Sequence, residues 1–320
     1  MESLKYSLVV PVYKNEGSIL ALLDVLESMS SLLVGNLEVV FVIDGSPDSS
    51  YRLLREKLAA HSFDSQLLLH SRNFGSFAAI RTGLEAARGE FFAVMAADLQ
   101  EPPELIVNIF ECLALNEADI VVGTRETRED SALSRFTSGL FWSFYRRFIM
   151  PEMPVGGVDI FGCNMLFRDQ LMLLEELHSS LIGQIFWLGF RRKLIPYQRT
   201  ARVHGVSGWT LKKKLNYLMD SIFSFSDMPI NILIVAGLVG LGFSFSFGFI
   251  VLLTSILSSI PVPGYAATVI MVLFFGGLNS FGLGVIGAYV WRAYANTQNR
   301  PLAIVMNSEK FEPKSGKDKE

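Results

Sequence analysis

Polar side chains that could bind a ligand follow directly after three short apolar runs in the first hundred or so residues. The first run leads into Tyr13 and Glu16, the second into Asp44, and a later one into Asp98 and Gln100. If these runs are neighbouring strands, the side chains collect in one place and form a polar site. No GxGxxG follows the first run and no GxxxxGK[ST] occurs, which disfavours a dinucleotide oxidoreductase and a P-loop NTPase.

Two patterns that alternate along the chain, short apolar runs and segments with helical spacing, predict the elements that position these residues. Apolar runs rich in β-branched and aromatic residues predict strands at 7–12, 38–43, 66–69, 91–96 and 120–122. Segments with helical spacing predict helices at 18–29, 51–60, 77–87 and 103–115. The alternation indicates a doubly wound α/β domain, with a mostly parallel sheet covered on both faces. Ligands of such domains bind beyond the carboxyl ends of the strands.

The remaining polar part of the chain is less regular. We expect a helical region at 125–148, a short strand near 163–167, helices around 168–178 and 181–190, and a strand-like segment at 193–203. These elements complete a domain over residues 1–210. Residues 211–228 place lysines beside leucines and phenylalanines, which predicts a juxtamembrane amphipathic helix.

Residues 229–291 contain no Asp, Glu, Lys, Arg or His. This length fits two membrane crossings of roughly 20 residues each. Pro261, Pro263 and Gly264 interrupt it, so we expect transmembrane helices at about 229–260 and 264–291. A buried hairpin in a soluble protein is the alternative, but too little chain remains to cover it.

Charges around the apolar segment predict its orientation. Lys212, Lys213 and Lys214 precede it, and a tail at 292–320 carries six further cations. The positive-inside rule therefore places both termini and the α/β domain in the cytoplasm, as a multi-pass protein of the cell inner (plasma) membrane. The net charge of −3 gives no indication of nucleic-acid binding. Small-residue faces in GLVGLG and FFGGLN could pack between subunits of a homo-oligomer.

Several segments, taken together in order and spacing, carry a family resemblance. They are VVPVYKNE, VIDGSPD, SRNFGSFAA, ADLQEPPELI, VVGTRETR, RVHGVSGW, SIFSFSDMPI and LGVIGAYVWR. The chain resembles the family 2 glycosyltransferases that act on polyprenyl phosphates, among them bactoprenol glucosyltransferases and dolichyl-phosphate mannose synthases. The resemblance implies a GT-A fold, a nucleotide-diphosphate sugar donor (UDP-linked by the bacterial likeness), Mg²⁺ or Mn²⁺, and inverting transfer to undecaprenyl phosphate.

The resemblance also implies roles for residues on the donor side. Pro11, Val12, Tyr13 and Glu16 match the loop that holds the nucleotide, and Asp44 matches the second aspartate of DDGS, expected at the base. The alternative for Glu16 and Asp44 is an exposed acid in a helix or turn, without a binding role.

Asp98 and Gln100 match the end of DADLQ, which presents the metal ion, and Asp98 also counts as catalytic. The first acid of that motif is Ala96 here, so one ligand is missing. Asp159 matches the aspartate of a GDFRL-type segment and is a second catalytic candidate, although Phe161 replaces the arginine that usually follows. A turn-capping aspartate is the alternative for Asp159.

A phosphate acceptor calls for cations more than for a base, because a phosphate monoester is mostly dianionic at neutral pH. Arginine binds phosphate oxygens bidentately. The candidate acceptor-phosphate residues are Arg125, Arg128, Arg135, Ser138, Arg199, Arg202, Ser207 and Trp209. Basic residues close to a membrane can also contact anionic lipid alone.

Two further functions remain open from the sequence. One is transfer to another lipid acceptor, such as diacylglycerol. The other is a catalytically impaired membrane scaffold, for which Ala96 is the motivation.

Overall fold

The computed structural model describes residues 4–34, 36–125, 143, 145–147, 149–154, 158, 160–199, 211–257 and 264–313. The chain divides into two compact units. Met1–Lys214 and Arg300–Glu320 form the first, and Leu215–Asn299 form the second.

The first unit is built from strands that alternate with helices. Its strands are β1 (Tyr6–Val12), β2 (Leu37–Ile43), β3 (Asp64–His70), β4 (Phe91–Val94), β5 (Ile120–Arg125), β6 (Ile160–Asn164), β7 (Arg192–Tyr197) and β8 (Val305–Phe311). Its helices are α1 (Ile19–Leu32), α2 (Ser50–Lys57), α3 (Ser76–Ala86), α4 (Pro103–Ala114), α5 (Met165–Met172) and α6 (Leu181–Trp187), with 3₁₀ turns at Glu16–Ser18 and Leu58–Ala60. The strands and helices predicted up to residue 122 are therefore confirmed, with ends that shift by a few residues.

The strands form one eight-stranded sheet in the order β7-β5-β6-β4-β1-β2-β3-β8. The pairs β1–β2, β1–β4, β2–β3 and β5–β7 are parallel. Strand β6 runs antiparallel between β4 and β5, and β8 runs antiparallel along β3. The sheet is thus a mixed α/β sheet, and the expectation of a mostly parallel sheet holds for its centre.

The central strands are buried on both faces because their side chains alternate between two layers of helices. Leu8, Val10 and Val12 of β1 belong to the large core cluster that includes α1 and α4. On the opposite face α3 packs on β1 and β2. A Cβ at Gly83 of α3 would lie 2.3 Å from Cγ1 of Val9, so the helix backbone approaches the sheet closely there.

Several predicted elements after residue 122 are displaced. Arg125 ends β5 and does not begin a helix. The strand expected at 163–167 ends at Asn164, because the Asn164 side chain accepts a hydrogen bond from the Phe167 N–H and caps α5. The later elements are α5, α6 and β7, which end at Met172, Trp187 and Tyr197. Residues 126–142 lie outside the described part of the chain.

Strand β8 was not predicted. The sequence suggested a plain tail from residue 292, whereas Val305–Phe311 pairs with β3 from Ser65 to His70. The Tyr51 hydroxyl of α2 donates to Glu309 Oε1 at 2.6 Å, and Arg55 Nε lies 2.8 Å from Glu309 Oε2. Backbone pairing and these two side chains together hold β8 at the edge of the sheet.

The second unit contains most of α7 (Leu211–Phe225) together with α8 (Met228–Leu257) and α9 (Tyr265–Thr297). The stretches Met228–Ile250 and Phe274–Thr297 are long and apolar enough to cross a membrane, and almost none of either is buried in the chain. Arg292 of α9 pairs with Asp220 of α7 at 2.8 Å, so its charge is partly neutralised. A Cβ at Gly240 would lie 3.2 Å from the Phe275 ring, which marks a close packing point of α8 and α9.

Candidate functional site

The carboxyl end of the sheet, where β1 to β5 and β7 all end, carries the predicted site. The loop after β1 is tied to the loop after β2 by three hydrogen bonds. The Lys14 N–H donates to Ser46 Oγ at 2.8 Å, the Glu16 N–H donates to Asp48 Oδ2 at 3.1 Å, and the Ser49 N–H donates to Glu16 Oε2 at 3.1 Å. The structure therefore brings the Tyr13–Glu16 loop and the Asp44–Asp48 loop together, as the sequence predicted for adjacent strands.

Asp48 is the acid at the centre of this junction, and it was not among the site residues predicted from the sequence. The Ser46 hydroxyl donates to Asp48 Oδ1 at 2.6 Å, and the Ser50 hydroxyl donates to Asp48 Oδ2 at 2.9 Å. Burial alone would raise the pKa of Asp48, but the hydrogen bonds from Ser46, Ser50 and the Glu16 N–H outweigh burial and lower that pKa below its ordinary value. Asp48 thus fixes the shape of both loops as a carboxylate.

Asp44 lies beneath these loops, with only 2% of its surface exposed. It accepts hydrogen bonds from the backbone N–H groups of Phe74 and Gly75, both at 2.8 Å. His70 Nδ1 lies 3.0 Å from Asp44 Oδ1, and His70 Nε2 lies 3.0 Å from the Thr82 hydroxyl. Asp44 therefore anchors the loop between β3 and α3, and its contact with a nucleotide base stays a prediction.

Gly45 allows the loops after β2 and β3 to meet. Its φ of +58° lies in the left-handed region, and a Cβ there would lie 2.3 Å from the backbone carbon of Arg72. Beyond that contact the Arg72 guanidinium lies 4.0 Å from the centroid of the Phe74 ring. A third loop, with an aromatic and a cationic side chain, thus joins the carboxyl end of the sheet. The glycine of the VIDGSPD segment was the available signal for this contact.

The loop after β4 carries Asp98 and Gln100. It is fixed to the start of α1 by the Ser18 hydroxyl, which donates to the Ala97 carbonyl at 2.8 Å. Gln100 is 9% exposed, and its Oε1 accepts a hydrogen bond from Nη2 of Arg199, just after β7. A predicted metal ligand and a predicted acceptor-phosphate residue thus contact one another directly.

This contact bears on the metal site implied by the resemblance. Asp98 offers one carboxylate, Ala96 offers no ligand atom, and the Gln100 oxygen accepts a hydrogen bond from a guanidinium; the buried Glu101 follows as the second acid of the loop. In the described ranges no group of three or more His, Cys, Asp or Glu side chains could hold a metal ion. The described side chains therefore fit a dedicated Mg²⁺ or Mn²⁺ centre poorly.

The other predicted residues divide into two groups. Pro11 and Val12 lie in β1, where Val12 is buried and Pro11 is half-buried. Arg125 pairs in register with Tyr197, so it lies at the same end of the sheet as Arg199. The following predictions fall outside the described residues: Arg128, Arg135, Ser138, Asp159, Arg202, Ser207 and Trp209.

Comparison with known proteins shows which family this chain resembles in sequence. Residues 7–173 match glycosyl transferase family 2. The chain is 32% identical to the uncharacterized glycosyltransferase YkcC of Bacillus subtilis (strain 168), over 97% of this chain and 96% of that protein. It is 30% identical to the SfII prophage-derived bactoprenol glucosyl transferase of Shigella flexneri, over 97% of this chain and 100% of that protein.

A solved structure gives a more distant likeness. Glucosyl-3-phosphoglycerate synthase from Mycobacterium tuberculosis, in complex with Mn²⁺, UDP and glucosyl-3-phosphoglycerate, aligns with a TM-score of 0.44 and 16% identity. The alignment covers 63% of this chain and 73% of that one. A likeness at this level carries neither the metal ion nor the nucleotide over to this chain.

Proposed function

Because the chain belongs to glycosyl transferase family 2 and is a glycosyltransferase, we propose that it transfers one hexose from a nucleotide-diphosphate sugar to a polyprenyl phosphate. We take the donor as UDP-linked and the acceptor as undecaprenyl phosphate, with inversion at the anomeric carbon. The name of a near full-length relative, a bactoprenol glucosyl transferase, supports this acceptor class.

The observation that carries the donor side is the joining of the loops after β1, β2 and β3. Tyr13 is 40% exposed there and presents an aromatic ring, while Glu16 is held by the Ser49 N–H. Asp44 holds the third loop through Phe74 and Gly75. In this proposal Pro11, Val12, Tyr13, Glu16 and Asp44 form or support the nucleotide site.

The acceptor side rests on phosphate chemistry. A phosphate oxygen of the lipid attacks the anomeric carbon while the bond from that carbon to the donor diphosphate breaks. The electron pair of the breaking bond leaves with the nucleoside diphosphate. No proton has to be removed from the nucleophile, because the phosphate monoester is already mostly dianionic at neutral pH. Cations are needed to hold two anions together, and Arg125 at the carboxyl end of the sheet is a described candidate. Arg128, Arg135, Ser138, Arg202, Ser207 and Trp209 remain proposals, as does a contact of Asp159 with the sugar.

A divalent ion would supply positive charge at the leaving diphosphate. Among the described side chains such an ion would have the Asp98 carboxylate, with Gln100 already bonded to Arg199. Asp98 remains the proposed catalytic residue of this loop.

The membrane part of the proposal follows from α8 and α9. We propose that these helices cross the cell inner membrane as a hairpin, with the domain of residues 1–210, the helix at 211–228 and the tail at 292–320 on the cytoplasmic side. The two apolar stretches support this placement. Gly237 and Gly276 have open space at their Cβ positions, which suits packing against a second copy in a homo-oligomer.

The test is a transfer assay with the full chain in detergent. Radiolabelled UDP- and GDP-sugars are offered with undecaprenyl phosphate, undecaprenol or diacylglycerol. We expect label in the lipid phase with undecaprenyl phosphate and none with undecaprenol, which lacks the phosphate. Transfer to diacylglycerol instead would favour the other lipid acceptor. The absence of transfer from every donor would favour a scaffold.

A further inference from the structure

The leaving diphosphate of a nucleotide-sugar donor gains negative charge as its bond to the sugar breaks, so a glycosyltransferase must place positive charge beside it. In this chain the motif segment at residues 96–100 carries one acid, Asp98, where the family motif has two, because position 96 is alanine; the buried Glu101 follows the motif. With one metal-binding acid fewer, this loop is less suited to hold a divalent cation, so another group has to supply the positive charge beside the diphosphate.

Arg199 lies at the place in question. Its Nη2 donates to Gln100 Oε1, the atom that the resemblance assigns to a metal ion. Its Nε is buried and has no hydrogen-bond partner among the described residues. A buried donor without an acceptor is costly, and in a native structure it calls for an explanation such as a catalytic role or a bound ion or water. The contact and the unused donor point to an anion bound by this guanidinium.

The hydrogen-bond partner of Arg199 is the neutral amide of Gln100, which bears on the charge that Arg199 can offer to a ligand. A carboxylate in the position of Gln100 would cancel most of the guanidinium charge, whereas a neutral amide oxygen orients the group and leaves its charge intact. A guanidinium has five N–H donors in a planar fork, so one bond to Gln100 leaves others for phosphate oxygens. Gln100 is then a positioning residue for Arg199.

We infer that Arg199 binds the diphosphate of the sugar donor and supplies there the positive charge that a metal ion would otherwise bring. The inference rests on the proposed function, and it moves Arg199 from the acceptor phosphate to the donor. It follows that nucleoside diphosphate binding depends more on Arg199 than on a divalent cation.

The experiment measures binding of UDP and GDP, without acceptor, to the detergent-solubilised full chain by calorimetry. We expect that replacing Mg²⁺ by a chelator weakens binding by less than about threefold, which corresponds to well under one charged hydrogen bond. Arg199→Gln should weaken it by about 10- to 100-fold in either condition, as the loss of charged hydrogen bonds predicts. Lys57→Gln removes one positive charge from an exposed position at the end of α2 and should leave binding unchanged.

A second variant gives a result that poor folding alone cannot produce, and a melting curve of each variant shows whether it folds. Ala96→Asp restores the motif's first acid while Arg199 stays in place. In Arg199→Gln with Ala96→Asp, we expect UDP or GDP affinity to recover when Mg²⁺ is present and to fall again with the chelator. Such conversion from an arginine-dependent to a metal-dependent site is a result that a merely structural role of Arg199 would not produce.

Two results would overturn the inference. If the chelator abolishes binding to the unmodified chain and Arg199→Gln binds normally with Mg²⁺, the metal ion carries the charge and the proposed transferase function still stands. If neither nucleotide binds under any condition, the proposed function fails, and the inference fails with it.

Discussion

Replacing Asp44 by asparagine tests whether this residue fixes the loop after β3. Asp44 Oδ1 accepts from His70 and Phe74, and its Oδ2 accepts from Gly75. The best-placed amide keeps its oxygen toward His70 and Phe74, so its NH₂ group faces the Gly75 N–H. The opposite rotamer sets the NH₂ group against two donors and is worse. Asp44→Asn therefore loses one hydrogen bond outright and weakens two others.

The expected cost follows from these contacts. A buried donor left without its partner costs about 1–3 kcal/mol, and the loss of charge assistance on two remaining bonds adds about 1 kcal/mol. A total of about 2–4 kcal/mol corresponds to a fall of roughly 5–15 °C in Tm for a unit of this size. UDP or GDP binding should weaken as well, because the loop with Arg72 and Phe74 loses its anchor.

The assay is thermal unfolding of the full chain in detergent, followed by intrinsic fluorescence, with hydrogen exchange to report on the Phe74 and Gly75 amides. Asp24→Asn is the matched control: Asp24 is exposed on α1, and the same chemical change should alter stability by less than about 0.5 kcal/mol. An Asp44→Asn protein with an unchanged Tm and unchanged protection of both amides would refute the reasoning.

Three further predictions follow from the same structure. Gly45→Ala should destabilise the protein by at least about 1–2 kcal/mol because residue 45 has a left-handed φ, and the clash of the new Cβ with the Arg72 backbone should add to this cost. Denaturant unfolding measures the loss, and an unchanged midpoint would mean that the loops after β2 and β3 do not meet. Glu309→Ala should speed hydrogen exchange in β3 and β8 while the amides of β1 stay protected, and equal protection in the variant would show that β8 needs no side-chain contact. The hydrogen bond from the Arg191 guanidinium lowers the pKa of Asp119 in the folded protein. The stability that this pair adds is therefore fully present above the pKa of Asp119 in the unfolded chain, and it is lost as the pH falls through the pKa of Asp119 in the folded protein. The Tm deficit of Asp119→Asn should then be full near neutral pH and shrink below about pH 4, and a deficit independent of pH would contradict that pairing.

The centre of the fold could be predicted because its signals are local. Strands β1 and β2 are continuous apolar runs, and each ends at a polar loop, so both the elements and their shared end of the sheet follow from the sequence. Strand β8 carries no such signal: five of its seven side chains are exposed, four are polar, and backbone pairing to β3 holds it. An edge strand of this kind needs a partner strand, which local patterns do not reveal.

The site was predictable in its residues more than in its contacts. Asp44, Asp98 and Gln100 were found from their positions after strands. Their contacts depend on how distant loops meet, and spacing along the chain carries no information on how those loops meet. These contacts are the hydrogen bonds of Asp44 with Phe74 and Gly75 and that of Gln100 with Arg199. Asp48 was missed because it reads as an ordinary turn acid, although it joins two loops of the site.

The direct measurement of the central claim is the fate of the acceptor oxygens. The full chain is incubated with the sugar donor that supports transfer and with undecaprenyl phosphate whose non-bridging oxygens are isotopically labelled. The masses of the products are then measured by mass spectrometry. Attack by the lipid phosphate on the anomeric carbon predicts a glycosyl phospholipid that retains every labelled oxygen, together with an unlabelled nucleoside diphosphate. Labelled oxygen in the released nucleotide, or the absence of any glycosyl phospholipid, would contradict the account.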